Sequence, residues 1–198
     1  MTKATKRTRA LTGTAMLAAV ATILMYMEFP IPIMPGFIKM DISELPALIA
    51  SFAYGPLSGI AVCLIKNLIK LPSTSTAAVG ELFNFVMGAL FVGVAGIVYK
   101  KNKTRKGAII GAVAGALIMA LVSLPYNYFV VYPAYVVMYH LPLEAIIGMY
   151  QAINPNVNGL LACLVTFNVP FTFAKGMVDA LLCFLIYKPL SPILHGRK

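Results

Sequence analysis

"YGPLSG", residues Tyr54–Gly59, interrupts an apolar run that extends from Leu45 to Ile65. A proline inside a helix removes a backbone hydrogen bond and clashes with the preceding turn, so one continuous helix cannot pass through Pro56. The run is therefore predicted to form two helices, Glu44–Tyr54 and Pro56–Lys70. At about 1.5 Å per residue, each is too short to cross a bilayer core of about 30 Å.

The composition assigns nearly the whole chain to a membrane. It has 198 residues, of which 60% are hydrophobic and only 11% are charged. Several apolar runs approach the roughly 20 residues that cross a bilayer, and no polar stretch is long enough for a soluble domain of about 50 residues or more. We expect an all-α, multi-pass cell-membrane protein with a single domain, residues 1–198.

Basic residues set the number of crossings. The N-terminal basic cluster and the loop "KKNKTRK" (Lys100–Lys106) both belong in the cytoplasm by the positive-inside rule. An even number of helices must then precede Lys100, and the split at Pro56 provides it. We predict six transmembrane helices with both termini inside. The remaining apolar runs are Ala10–Met27, Thr76–Tyr99, Gly107–Val131 and Phe167–Tyr187. The predicted external segments are Pro30–Ser43, Lys70–Ser75 and Val131–Thr166. The last of these is expected to carry a short surface helix.

Several classes of function are excluded by what the sequence lacks. The net charge of +10 comes from short clusters beside apolar runs, which is typical of membrane topology and not of nucleic-acid binding. The three cysteines, Cys63, Cys163 and Cys183, lie in apolar runs without metal-ligand spacing and are predicted to be buried free thiols. No phosphate-binding loop, HExxH or GxSxG motif is present. We expect neither an enzyme nor a metal site.

Charged residues within apolar runs are candidate functional positions because each costs about 2.5 kcal/mol or more at the centre of a membrane helix. Lys175 and Asp179 are four residues apart and can neutralise each other, while Lys175 can also contact a ligand. Glu81 can stabilise a helix N-terminus or bind a ligand. Lys66 and Lys70 are expected to extend to water at the membrane surface.

Polar and small residues add weaker signals. Asn127 lies among apolar residues near the outer boundary, where its amide needs a partner from either a ligand or a neighbouring helix. In the first helix, Ala15 and Ala19 permit close approach by another helix. Gly107, Gly111 and Gly115 repeat at the same spacing, for which packing inside the protein is the expected use.

Several motifs together resemble one family of membrane proteins. They are "EFPIPIMPGFIKMDISELPALIASFAYGPLSG" from Glu28, "IKN" from Ile65, "NF" from Asn84, "NY" from Asn127, "YPAY" from Tyr132 and "PFTFAKG" from Pro170. The chain is similar in these motifs, from its first helix to its last, to the riboflavin-specific substrate-binding (S) components of energy-coupling factor (ECF) transporters. The proline-rich loop that leads into "DISELPALI" is the most specific part.

The resemblance implies a six-helix S component that captures riboflavin from outside and delivers it inward. Its partners would be a transmembrane coupling (T) subunit, which Ala15 and Ala19 would face, and two cytoplasmic ATPases that hydrolyse ATP. The first external loop would cap the vitamin, and Asn127, Thr172 and Lys175 would contact its flavin. The family commonly has Asn where this chain has Thr172, so Asn168, one turn earlier, is a candidate replacement.

An isoalloxazine ring is a flat apolar plate with one hydrogen-bonding edge, and it suits apolar walls with a few convergent polar groups. Within the loop, Gly36 is the expected hinge, Phe37 and Met40 the apolar cover, and Lys39 and Asp41 the polar rim. Riboflavin is the transported ligand, and no resident cofactor is expected. The predicted ligand-binding residues are Asn127, Lys175, Thr172, Asn168, Met40, Asp41, Glu81, Phe37 and Tyr128.

Two alternatives stay open from the sequence. An S component for flavin mononucleotide or another vitamin would need an extra cation near the external mouth to bind a phosphate. An autonomous proton-coupled carrier would use Lys175 and Asp179 as a proton relay. Such carriers are usually built from longer, internally repeated sets of helices, and the chain has no such repeat.

Overall fold

The structure, a computed structural model, describes the backbone of residues 3–195 and the side chains of residues 4–187. The two termini, predicted to lie in the cytoplasm, fall partly outside these ranges. The elements in chain order are α1 (Lys3–Tyr26), β1 (Phe29–Pro30), β2 (Lys39–Met40), α2 (Glu44–Tyr54), α3 (Pro56–Lys70), α4 (Val79–Lys101), α5 (Arg105–Tyr126), α6 (Tyr132–Tyr139), α7 (Leu143–Gln151), α8 (Gly159–Cys163) and α9 (Val169–His195).

The split at Pro56 is confirmed, since α2 and α3 have the predicted bounds. Gly55 joins them with a φ of 109°, in the region that favours glycine. Pro56 then occupies the first turn of α3, where its missing N–H costs nothing. The Ser51 hydroxyl donates to the carbonyl of Val92 at 2.7 Å, which ties the end of α2 to α4.

The predicted count of six transmembrane helices is not confirmed. Among the described residues, four helical stretches are long and apolar enough to cross a membrane: Ala4–Tyr26, Val79–Lys101, Arg105–Tyr139 and Gly159–Tyr187. Helices α2 and α3 have only 11 and 15 residues. The short helix expected in the last external segment is present as α7.

The predicted glycine row packs α5 against α4. A Cβ on Gly111 would lie 2.7 Å from the carbonyl oxygen of Ala95, and one on Gly115 would lie 2.5 Å from that of Phe91. No side chain fits at such distances, so glycine permits the close approach that membrane helices use for van der Waals contact. The three cysteines are free and buried, as predicted.

The loop between α1 and α2 forms a two-stranded antiparallel ribbon in which Phe29 pairs with Met40 and Pro30 pairs with Lys39. Gly36, near its tip, does not have a positive φ, and a Cβ added there would meet no atom within 4 Å. The backbone at Gly36 thus does not require glycine in this conformation. Its role as a hinge stays a prediction.

Candidate functional site

A cavity lies between this loop and helices α2, α4, α5 and α9. Its volume is about 180 Å³, counted over positions that the centre of a water molecule can occupy. The wall combines apolar side chains with charged and amide groups. Of the predicted ligand-binding residues, the cavity brings together Phe37, Asp41, Glu81, Asn127, Asn168, Thr172 and Lys175.

The acidic residues of the chain are concentrated in this cavity. The sequence contains six Asp and Glu residues, and all except Glu144 line its wall. The acidic lining residues are Glu28, Asp41, Glu44, Glu81 and Asp179. Buried carboxylates require cations or hydrogen-bond donors, so the distribution of the lysines among them determines the electrostatics of the site.

Lys175 connects the last helix to the loop. Its Nζ donates to Asp41 Oδ2 at 2.8 Å and lies 3.1 Å from Glu44 Oε2. The second contact is an ion pair without hydrogen-bond geometry, since Glu44 Oε2 accepts no hydrogen bond among the described residues. The predicted neutralising pair between Lys175 and Asp179 is therefore wrong. Lys175 instead forms ion pairs with Asp41 in the loop and Glu44 in α2.

Lys66 does not extend to water, and that prediction is also wrong. Its side chain is completely buried and its Nζ lies 2.5 Å from Glu44 Oε1. It also donates to the Ser43 hydroxyl, and Ser43 in turn donates to Asp41 Oδ1. The Lys66 side chain lies inside the protein, within reach of Glu44, so the carboxylate of α2 replaces water as its partner.

Lys70, at the end of α3, is buried as well. Its Nζ lies 2.5 Å from Glu28 Oε2, while Lys39 contacts Glu28 Oε1 at 2.9 Å. Glu28 thus joins the start of the loop to its returning strand and to α3. The expectation that Lys70 extends to water is wrong for the same reason as for Lys66, since a carboxylate lies within its reach.

The ion pairs shift the pKa values of the two loop carboxyls downward. Burial is the largest influence on Asp41 and acts to raise its pKa, but Lys175 and Lys66 together lower it well below its ordinary value. Glu28 behaves in the same way, with burial opposed by Lys70 and Lys39 and the net pKa lowered. Both groups are therefore carboxylates at neutral pH.

Both candidate asparagines lie in π-helical turns. Asn127 begins the turn Asn127–Val131 that joins α5 to α6, and Asn168 ends the turn Leu164–Asn168 that joins α8 to α9. Such turns insert one residue into a helix and occur frequently at functional sites. Both side chains are buried and line the cavity. The Asn127 amide also donates to the carbonyl of Ser123 at 2.8 Å.

Asn168 is held by two tyrosines. It accepts a hydrogen bond from the Tyr150 hydroxyl at 2.7 Å and donates to the Tyr132 hydroxyl at 3.1 Å, and these two hydroxyls also contact each other. Burial raises the pKa of Tyr150, so it is a neutral donor. Phe37 of the loop packs edge-on against Tyr132, Tyr150 and Tyr135, with ring centroids 6.3–6.4 Å apart.

The other predicted site residues have different surroundings. Thr172 and Glu81 are buried in the wall, and Glu81 accepts hydrogen bonds from Thr74 and Thr76 at 2.7 and 2.9 Å. Met40 is buried but does not line the cavity. Tyr128 is 39% exposed and packs on Phe129, away from the cavity.

Sequence reasoning missed Glu28, Glu44, Tyr132 and Tyr150. The rarity of acidic residues was a usable signal for the two glutamates, because an apolar chain with only six carboxyls retains each of them at a cost. No local pattern distinguished the tyrosines from an aromatic belt at the membrane boundary. Their common contact with Asn168 depends on the packing of three separate segments.

A family model described as "ECF transporter, substrate-specific component" matches residues 9–187. The chain belongs to this family. The S component is 33% identical over 180 residues to riboflavin transporter RibU of Staphylococcus aureus (strain TCH60), which covers 91% of this chain and 89% of that protein. It is also 33% identical over 187 residues to riboflavin transporter FmnP of Bacillus subtilis (strain 168), with 93% of each chain covered.

A solved S component of a bacterial ECF transporter has the same fold. It superimposes with a TM-score of 0.73 at 31% identity, over 95% of this chain and 98% of that one. The resemblance drawn from the motifs is thus confirmed in three respects. The chain belongs to the predicted family, it is a membrane protein, and it is a substrate-specific transport component and not an enzyme.

On α1 of this S component, Ala15 and Ala19 are exposed while Ala18 and Thr22 are buried.

Proposed function

We propose that this S component binds riboflavin from outside the cell and delivers it inward as part of an ATP-driven ECF transporter. The observation that carries the proposal is the cavity in which Asn127, Thr172 and Lys175 lie together beneath the loop. The names of the curated relatives, which match about nine-tenths of the chain, support riboflavin as the ligand.

The cavity wall suits the chemistry of a flavin. Its apolar part can contact the faces of an isoalloxazine plate, and the amide, hydroxyl and ammonium groups can contact its polar edge. The apolar and aromatic members of the wall include Phe37, Ile38, Phe83, Met87, Met119, Val131 and Phe171. Asp41 and Glu81 are then available to the hydroxyl groups of the ribityl chain, which donate hydrogen bonds to carboxylates.

The loop would act as the cover of the site. Phe37 reaches from the loop into the tyrosine cluster around Asn168, so the loop contacts α6 and α7 as well as its own neighbours. Riboflavin that enters from outside must displace this contact. Met40 and Tyr128 have no part in the proposed binding surface because neither lines the cavity.

Six membrane segments are part of the proposal. The four long helical stretches would cross the membrane, and α2 and α3 would enter it from outside and turn at Gly55 near the inner face. This arrangement agrees with the positive-inside rule, because it leaves the basic loop at Lys100–Lys106 and both termini in the cytoplasm. The binding cavity would then face outward, within one domain.

The proposed partners are a transmembrane T subunit and two cytoplasmic ATPases. The exposed Ala15 and Ala19 on α1 support a contact with the T subunit, since small residues let another helix approach closely. An autonomous proton-coupled carrier is not favoured, because Lys175 is paired with Asp41 and Glu44 and not with Asp179. A ligand other than riboflavin is not favoured by the names of the relatives.

Purification of the protein tests the proposal directly. We expect the protein to carry a yellow flavin chromophore or, once stripped of ligand, to quench the fluorescence of added riboflavin stoichiometrically. When radiolabelled riboflavin is the bound probe, flavin mononucleotide should displace it less effectively than unlabelled riboflavin does. A colourless protein that leaves riboflavin fluorescence unchanged would overturn the proposal.

A further inference from the structure

Neither carboxyl oxygen of Asp179 has a hydrogen-bond partner in the part of the chain that the structure describes. Its side chain is completely buried, it lines the cavity, and neither Oδ1 nor Oδ2 has a hydrogen-bond donor among the described residues. The same cavity wall contains two further buried oxygen acceptors without a donor, Glu44 Oε2 and Asn84 Oδ1. The cavity wall thus has four buried acceptors that receive no hydrogen bond from the described residues.

The lysines near Asp179 are already used by other carboxylates. Lys66 pairs with Glu44, and Lys175 pairs with Asp41 and Glu44, whereas no ion pair among the described residues includes Asp179. The ionisable groups that interact with Asp179 come from the loop, from α2, from α3 and from α9 itself. They are Asp41, Glu44, Lys66, Lys175 and the thiols Cys63 and Cys183.

The formal charges of this cluster do not balance if Asp179 is ionised. Three carboxylates, Asp41, Glu44 and Asp179, would face two ammonium groups, Lys66 and Lys175, and leave one negative charge in the protein interior. An isolated buried charge costs far more than a buried neutral acid. One additional proton makes the cluster neutral and also turns one of the acceptors into a donor.

We propose that Asp179 is a proton-binding site, and that the folded protein holds this proton in the wall of the cavity at neutral pH. The proton is resident and is not transported. It leaves Lys175 committed to Asp41 and Glu44 and keeps the cavity wall free of excess charge in the membrane, as an uncharged ligand requires.

Infrared spectroscopy of the purified full-length protein in a detergent that contains no ester or acid groups tests the proposal. A protonated carboxylic acid has a C=O stretching band that a carboxylate lacks. We expect this band at neutral pH in the parent and its loss in Asp179→Asn, which removes the acid but keeps the shape. Glu144→Gln is the matched control, because Glu144 is the acidic residue outside the cavity and is exposed, and it should retain the band.

A second measurement separates a held proton from an ionised structural carboxylate. Asp179→Asn should leave the thermal midpoint close to that of the parent, whereas Glu44→Gln, which deprives Lys66 of its carboxylate, should lower it clearly. A parent without the band, or an Asp179→Asn variant that keeps it, would overturn the proposal. So would an Asp179→Asn variant as unstable as Glu44→Gln. Neither measurement requires riboflavin, so failure here is distinct from failure of the proposed function.

Discussion

The loop between α1 and α2 is held by ion pairs at both of its ends, and the two ends differ in burial. At the first end, Glu28, which is 24% exposed, pairs with the 39% exposed Lys39 and with Lys70, which is 10% exposed. At the second end, Asp41 pairs with Lys175, with side chains 4% and 15% exposed. The same chemistry thus operates at the water boundary and in the interior.

The difference in burial changes what each pair contributes. Exposed pairs are screened by water and salt and contribute about 0–1 kcal/mol. In a buried pair, loss of one partner leaves an uncompensated charge and costs about 3–5 kcal/mol. The Lys39–Glu28 pair should therefore break more easily than the Asp41–Lys175 pair. This order gives the loop a fixed base beside Lys175 and a more easily released outer edge.

The largest effect is expected from Lys66→Met. Among the described residues, this change leaves Glu44 with the 3.1 Å contact to Lys175 as its one ion pair. The free energy of unfolding should fall by about 3–5 kcal/mol. Denaturant titration in detergent measures this change. The double variant Lys66→Met/Glu44→Gln should recover part of the loss, because it removes the unpaired charge, and no recovery would contradict a dominant charge effect.

A smaller effect on ligand binding is expected from Lys175→Ala. The variant removes a charged donor from the cavity and a partner from Asp41, so riboflavin affinity should fall by about 1.5–3 kcal/mol. Titration by fluorescence quenching measures the dissociation constant. Lys100→Ala, at an exposed position in the last turn of α4, is the control and should bind like the parent. Equal affinity of the two variants would contradict a binding role for Lys175.

Asn127 and Tyr128 provide a comparison between adjacent residues. Asn127 lines the cavity and Tyr128 does not, so Asn127→Ala should weaken riboflavin binding by about 1 kcal/mol, the usual contribution of a neutral hydrogen bond. Tyr128→Ala should leave the dissociation constant unchanged. The same titration measures both variants. A larger loss for Tyr128 would mean that the bound state differs from this arrangement at the π turn.

The smallest effect is expected from Lys39→Ala. Glu28 keeps its contact with Lys70 in this variant, so the free energy of unfolding should change by less than about 1 kcal/mol. The rate of riboflavin binding, measured by stopped-flow fluorescence, should rise if the outer edge of the loop opens first. An unchanged or lower rate would mean that the Glu28 end does not limit entry.

The lowered pKa of Asp41 makes the buried end insensitive to mild acid. A carboxyl whose pKa is lowered on folding stabilises the fold at pH values above its ordinary pKa of 3.8. That contribution is lost only as the pH falls through the lowered pKa. The Asp41–Lys175 pair is therefore intact throughout the neutral and weakly acidic range.

Local rules were sufficient for some features of the site. The break at Pro56 follows from the geometry of proline, and it set the bounds of α2 and α3. The motifs in the loop and in α9 identified Asp41, Phe37, Thr172 and Lys175, which all line the cavity. The pairing of the lysines was not accessible in the same way, because a lysine in an apolar helix can be neutralised by any carboxylate that the fold brings near.

The sequence by itself determined that this is a helical membrane protein, where its short helices end, and which family it belongs to. The lengths of the apolar runs, the geometry of proline, the positions of the basic clusters and the motifs are all properties of the sequence and need no knowledge of packing. Only the tertiary structure decided that Lys175 meets Asp41, a residue 134 positions away, and that Lys66 is buried against Glu44. It also decided that Asp179 forms no ion pair with any cation among the described residues. Those outcomes depend on how α2, α3 and α9 pack, because a buried charge takes its partner from whichever neighbour packing brings within reach.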